Sequence, residues 1–290
     1  MAVEESVSII LLGGGYTLQR VGERLPSDSF VITSRREEQC EIWRKHRWNA
    51  AVASIESADS LKTLFSRYPN ARVLVDSVPP LRTGRPSRGV ENVVEALRGT
   101  QIERVIYLST TGVFGGRDGQ VVDEATPPAP WNEQGQARLD CEKVYRSAMD
   151  HGARFASTSL RLPAIYGEDR GLLSALKSGH YRMVDEGTLW TNRIHVEDLA
   201  QVIVRAIQAT SLPDVLCVSD DEPTLAKDVV SFLCHAHGLP RPGSISSQEC
   251  VARGAYTMVS NQRVNNKRMK ELLGAALAYP SYREGMGLKR

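Results

Sequence analysis

The stretch Val7-Ser-Ile-Ile-Leu-Leu12-Gly13-Gly14-Gly15-Tyr16-Thr17-Leu18 decides the fold. The run from Val7 to Leu12 has strand length, and three glycines end it. Leu18, Val21 and Leu25 then recur at helical spacing. A strand, a glycine turn and a helix in that order are the setting of the dinucleotide fingerprint G-x-G-x-x-G. Here the turn reads G-x-G-x-x-L, with Leu18 in place of the third glycine. Gly13 permits the tight turn, and Gly15 lets the backbone approach a pyrophosphate at the helix N-terminus. The expected cofactor contacts are Gly13, Gly15, Tyr16 and Thr17. A plain structural turn is the competing reading, and the placement after the first strand favours the cofactor.

Outward from this stretch the same alternation repeats. Phe30–Thr33, Ala50–Ala53, Arg72–Asp76 and Val105–Ser109 are short strand-like runs. Charged or amphipathic helical stretches separate them, including Ser60–Tyr68 and Val90–Leu97. This βαβα order predicts a doubly wound parallel sheet, Rossmann-like and covered by helices. Ligands of such folds bind at the carboxyl ends of the strands. After Ser109 comes a long loop, marked by Gly115-Gly116 and Pro127-Pro128-Ala129-Pro130. A helix over Arg138–Met149 and a strand over Ala156–Leu162 follow. Val196–Gln208 and Leu225–His237 read as helices, with a strand at Val215–Ser219 between them. The expected division is a nucleotide-binding domain over residues 1–165 and a smaller C-terminal substrate lobe over 166–290. Segments near 194–220 return to the first domain.

Composition narrows the function. The 290 residues carry 36 Lys+Arg against 34 Asp+Glu, a net charge of +2. So balanced a chain is not built for non-specific nucleic-acid binding. No apolar run approaches the ~18 residues of a membrane span. Glu4 and Glu5 stand where a secretory signal would carry basic residues, so a cytoplasmic location is expected. The five cysteines show no C-x-x-C spacing and read as reduced thiols. Cys234, His235 and His237 fall on a helical stretch, where neighbours two apart do not share a face; no metal site is expected.

Ser34-Arg35-Arg36 follows the second strand. An NAD site would place an acid there for the ribose 2′-hydroxyl. Two arginines suit a 2′-phosphate instead, so NADP is expected in preference to NAD. A solvated helix start is the alternative for these residues.

Four further segments resemble the extended short-chain dehydrogenases/reductases, the NAD(P)-dependent epimerase/dehydratase-like proteins. Leu108-Ser109-Thr110-Thr111-Gly112-Val113-Phe114-Gly115 is similar to their S-S/T-x-x-V-Y-G segment. Val122-Asp123-Glu124 with Pro127–Pro130 resembles their acidic-then-proline loop. Leu160–Gly167 resembles L-R-x-x-N-x-Y-G, and Arg193–Ala200 resembles I-H-V-x-D-hydrophobic-A. The likeness runs from Val7 to about Leu277. Leu189–His195 and Tyr279–Tyr282 look like an atypical subgroup.

The departures bear on chemistry. The family's Y-x-x-x-K helix motif aligns with Gln134 and Arg138. Gln134 cannot exchange a proton near neutral pH, though it can donate a hydrogen bond to a carbonyl oxygen. Arg138 keeps the charge and the implied ribose contact. The resemblance makes Thr110 the hydroxyl that meets the substrate oxygen; local backbone capping is its other reading. Thr111 and Gly112 replace the acidic pair of sugar dehydratases. Ala164 and Thr191 stand where nucleotide-sugar enzymes place Asn and Arg. Pro163 is expected beside the nicotinamide end. Tyr166, just beyond, is a candidate proton donor or a packed aromatic. His195 titrates in a useful range and is otherwise structural. Glu124 is open between site and scaffold, and Tyr107 belongs to the core.

The leading expectation is an NADP-dependent oxidoreductase of atypical mechanism, acting on a small carbonyl or alcohol. Its candidate catalytic residues are Thr110, Gln134, Arg138 and Tyr166. Its candidate cofactor residues add Ser34, Arg35, Arg36, Arg138 and Pro163 to the glycine turn. The alternatives are a non-catalytic NADP-binding regulator or partner-binding protein and a nucleotide-sugar epimerase. The partner expected is a small-molecule substrate, and the resemblance allows a homodimer.

Overall fold

Short apolar runs become strands because each is buried on both faces between helices. The computed structural model describes residues 6–274 and 276–287; Glu4 and Glu5 lie outside them. In chain order come β1 (Ile9–Leu12), α1 (Tyr16–Gly22), β2 (Phe30–Ser34), α2 (Glu37–Lys45), β3 (Asn49–Val52), α3 (Ala58–Arg67), β4 (Val73–Asp76), α4 (Arg88–Ala96) and β5 (Arg104–Thr110). A single turn, Thr111–Phe114, leads to β6 (Val121–Val122), α5 (Glu133–Asp150), β7 (Ala156–Leu162) and β8 (Ala164–Tyr166). Then follow α6 (Leu172–Lys177), β9 (Met183–Val184), β10 (Trp190–Thr191), β11 (Arg193–His195), α7 (Val196–Gln208) and β12 (Val215–Cys217). The rest holds β13 (Thr224–Leu225), α8 (Ala226–His237), β14 (Ser244–Ile245), α9 (Ser247–Ala252), β15 (Arg263–Val264), α10 (Lys267–Leu273) and α11 (Tyr282–Met286).

The main sheet has the order β12-β7-β5-β4-β1-β2-β3. The pairs β1–β2, β1–β4, β2–β3 and β4–β5 are parallel. This is the doubly wound α/β arrangement expected from the alternation. Its strand order reverses between β1 and β4, so the crevice at their carboxyl ends is where such a sheet binds a ligand. Gly13 follows β1 there, and Asp76 ends β4.

The chain divides into two compact units. One holds the described residues up to Ser109, with Gln136–Leu160 and Ala200–Leu216. The other holds Thr110–Gly135, Arg161–Leu199 and the described residues from Cys217 onward. The core of the first packs Ile10, Leu12, Leu61, Leu74, Val93 and Val105 between sheet and helices. Leu18 is also fully buried, so the residue replacing the third glycine is absorbed as core. Burying a leucine contributes about 2 kcal/mol. In the second unit Tyr166, Leu176, Met183, Val229, Leu233 and Tyr282 form a separate cluster.

The helix expected over Arg138–Met149 begins earlier, at Glu133. Its first turn is polar and shows no apolar period. Asn132 starts it instead: its side-chain oxygen accepts from the Gly135 N–H at 2.8 Å.

Candidate active site

The first unit carries the glycine turn. Gly13 has φ +87°, and a β-carbon on it would lie 2.7 Å from a Val78 methyl. Its N–H donates to Thr33 Oγ1 at 3.0 Å, and Ser77 Oγ donates to its carbonyl at 2.6 Å. The turn is thus tied to both neighbouring strands. Gly15 is exposed, and a β-carbon there would meet only the Gly13 carbonyl, at 3.9 Å. The first turn of α1 carries no acidic side chain. An open backbone without negative charge fits a pyrophosphate. Tyr16 is half-buried and Thr17 buried.

Ser34 is half-buried, and its Oγ accepts from the Arg36 N–H at 3.1 Å. Arg35 is exposed and lies 3.3 Å from Glu56. So solvated a pair is worth at most about 1 kcal/mol, and a phosphate can take its place. Arg36 is exposed and makes no side-chain hydrogen bond or ion pair among the described residues.

Arg138, Cys141 and Tyr145 share one face of α5, at spacings of three and four. Arg138 Nη1 donates to the Tyr107 hydroxyl and to the Leu108 carbonyl, both at 3.0 Å. The Val78 carbonyl lies at 3.5 Å. Arg138 is half-buried, and its Nε and Nη2 have no partner among the described residues. Behind it, fully buried Asp76 accepts from the Tyr145 hydroxyl at 2.7 Å and from the Val78 N–H at 2.9 Å. Burial pushes the Asp76 carboxyl up to about 6, against the pull of Tyr145, Val78 and the Arg138 charge. Burial also raises the Cys141 thiol, to about 11. Neither Asp76 nor Tyr145 stands out in the sequence; the only sign is an acid ending an apolar strand run. Ser109 Oγ donates to buried Glu142 on the same helix.

In the second unit, Thr110 Oγ1 accepts from the Gly112 N–H at 3.1 Å. Its hydroxyl hydrogen is left to donate. A β-carbon on Gly135 would lie 2.6 Å from the Gly112 carbonyl. That close approach sets the first turn of α5, which carries exposed Gln134, against the turn following Thr110. Pro163 is half-buried between β7 and β8.

Three other candidates are drawn into scaffolding. Tyr166 is 2% exposed, and its hydroxyl donates to the Ser281 carbonyl at 3.3 Å. Burial raises its pKa further above the ordinary phenol value. A buried, less acidic phenol is a poorer proton donor than an exposed one. His195 is stacked on Tyr279 at 3.7 Å between ring centres and meets Tyr166 edge-on at 5.0 Å. Its Nδ1 accepts from the Glu197 N–H at 3.2 Å. Glu124 accepts from the Cys217 N–H at 2.8 Å. Asp198 receives the Ala278 and Tyr279 N–H groups at 2.8 and 2.9 Å. The I-H-V-x-D segment therefore pins the C-terminal part of this unit.

The family model described as NAD dependent epimerase/dehydratase matches residues 15–216. The chain belongs to that family. A structure of a functionally unknown conserved protein from Silicibacter pomeroyi DSS is 31% identical, with a TM-score of 0.77. The match covers 97% of this chain and 96% of that one. A 3-diazoavenalumate denitrifying reductase from a Streptomyces species is 25% identical over 260 residues, 82% of each chain. UDP-glucuronic acid 4-epimerase from Bacillus cereus, solved with NAD, is 15% identical with a TM-score of 0.78, covering 97% of this chain and 96% of its own. That likeness shows the fold alone. Membership of the epimerase/dehydratase family makes the chain a nicotinamide-dependent enzyme of the oxidoreductase and epimerase type. Among the described residues, no helix is long and apolar enough to cross a membrane.

Proposed function

We propose that the chain is an NADP-dependent oxidoreductase acting on a small carbonyl or alcohol. The observation that carries the reading is the Arg138 guanidinium: Nη1 is bound to the end of β5, while Nε and Nη2 remain open. Those open donors hold the ribose hydroxyls. The glycine turn, with Gly13, Gly15, Tyr16 and Thr17, takes the pyrophosphate. Arg35 and Arg36 take the 2′-phosphate beside Ser34, and Pro163 flanks the nicotinamide end. A bound nicotinamide supplies or accepts the hydride. Thr110 donates its hydroxyl hydrogen to the substrate oxygen, and the Gln134 amide is a second donor. Neither transfers a proton, so the proton is exchanged with solvent. Such an enzyme forfeits the ~10²–10⁴-fold that a positioned acid or base supplies.

Calorimetric titration with NADPH and NADH tests this first. NADPH is expected to bind more tightly, and reduction of small aldehydes or ketones is expected to follow, slowly and with little pH dependence. Failure of both nucleotides to bind overturns the reading. A non-catalytic NADP-binding regulator is the second reading, favoured by the sealing of Tyr166. Tight NADPH binding without hydride transfer to any carbonyl in single turnover would select it. Thr191 counts against a nucleotide-sugar epimerase: its Oγ1 donates to the Thr224 carbonyl at 2.8 Å and is engaged with Arg193.

A further inference from the structure

Arg138 needs more than a place on α5 to serve a ribose. A guanidinium on a flexible chain can rotate about its last bonds, and an unheld plane loses binding energy to ordering. Nη1 carries two hydrogens, and it has two acceptors at 3.0 Å: the Leu108 carbonyl and the Tyr107 hydroxyl. Two acceptors on one terminal nitrogen fix the plane of the whole group. The Leu108 carbonyl is backbone and fixed by the strand. The Tyr107 hydroxyl is fixed only through its surroundings, and these are unusually determined. Tyr107 is fully buried and stands opposite Asp76 in the β4–β5 register. Its ring lies 5.4 Å from the Tyr145 ring, and Tyr145 is itself held by the buried Asp76 carboxylate. Buried Cys141 stands on the same face of α5 as Arg138 and Tyr145. Strand end, helix face and buried acid thus converge on one phenol.

We propose that Tyr107 is the positioning residue of the cofactor site: its hydroxyl sets the Arg138 plane so that Nε and Nη2 face the ribose hydroxyls. The inference rests on the reading of Arg138 as the ribose ligand. Tyr107 touches neither substrate nor cofactor and acts through Arg138 alone. Lysine at position 138 would have no plane to set. The pairing therefore accounts for an arginine accompanied by a tyrosine hydroxyl two residues before Ser109.

A double-mutant cycle in the full-length chain tests it, reading the Kd for NADPH by calorimetry and the melting temperature of each protein. Tyr107→Phe keeps the ring and removes one acceptor. It is expected to weaken NADPH roughly fivefold, because the ordering of Arg138 is lost and no contact to the nucleotide itself. In the Arg138→Met background the same change is expected to alter the Kd by less than about twofold, since coupled residues lose their effect together. A merely structural role would lower the melting temperature and leave the Kd of the folded protein unchanged. That result overturns the inference, and so does a Tyr107→Phe loss that persists in full without Arg138. If Arg138→Met binds NADPH as tightly as the native chain, the ribose reading itself fails, and the positioning role fails with it.

Discussion

Two arginines, one in each unit, sit beside buried carboxylates and end up with opposite characters. Arg138 is half-buried, its Nη1 is satisfied, and its other donors are open. Arg193 is 5% exposed and packs over the Tyr282 ring at 5.3 Å. Its Nη2 meets Thr191 Oγ1, but its Nη1 is sealed without a hydrogen-bond partner. The acids differ in the same way. Asp76 has a hydrogen-bond donor on each oxygen. Asp220 donates its backbone N–H to the Arg193 carbonyl at 2.8 Å, yet its Oδ2 is sealed and unpartnered. Burial pushes Asp220 up to about 7, even with the Arg193 charge drawing it down, and burial lowers Arg193. A charged head becomes a tool when its scaffold bonds are complete and some donors still face outward. Sealed on every side, the same head can only stabilise or destabilise the fold.

The sharpest way to break this contrast is Arg193→Met. It leaves Asp220 as a buried acid without its opposite charge, so unfolding free energy should fall by about 3–5 kcal/mol. Adding Asp220→Asn should restore most of that in urea denaturation. A loss that Asn does not repair would mean that Arg193 acts by packing over Tyr282 rather than by charge.

Next in size is a pH effect in the other unit. The folded pKa of Asp76, about 6, lies above its ordinary value of 3.8. The folded state thus holds this proton more tightly, and stability is greatest below the ordinary value and falls as pH rises toward 6. Asp76→Asn removes the charge, so the variant should be the more stable one at pH 7.5, by up to about 3 kcal/mol. The gap should close toward pH 4. Melting temperature against pH measures this, and parallel curves for the two proteins would contradict it.

Arg138→Met should weaken NADPH about tenfold, the worth of charge-assisted hydrogen bonds to the ribose, with little change in melting temperature. Arg193→Met should leave the NADPH affinity of the folded protein unchanged, and equal losses from both would erase the contrast between the two arginines. The smallest effect is expected from Arg36→Ala: NADPH weakens roughly three- to fivefold while NADH does not change, because an exposed arginine meets its phosphate in water. Equal effects on both nucleotides would remove Arg36 from the 2′-phosphate.

Much of the frame is legible residue by residue. The apolar run before Gly13 and the repeats after it lead to the sheet, because periods of two and 3.6 are local properties. Leu18 reads as a departure from the fingerprint and proves to be core. The start of α5 is missed because its first turn is polar and held by the Asn132 cap rather than by an apolar face. Tyr166 and His195 look equally suited to chemistry and to packing. The structure puts them in edge-on contact with each other and stacks His195 on Tyr279, which lies far along the chain. Glu124 and Asp198 are motif acids that turn out to bind backbone N–H groups.

By itself the sequence determined the alternation of strands and helices, the glycine turn and the arginines after β2. Spacing and residue type carry that information directly. Tertiary structure alone decided which polar groups are open. Asp76 and Tyr145 are 69 residues apart and meet only because β4 and α5 pack in one unit. Whether a guanidinium ends with spare donors or sealed ones depends on atoms brought together from distant segments, and burial is a property of the packed chain, not of any residue in it.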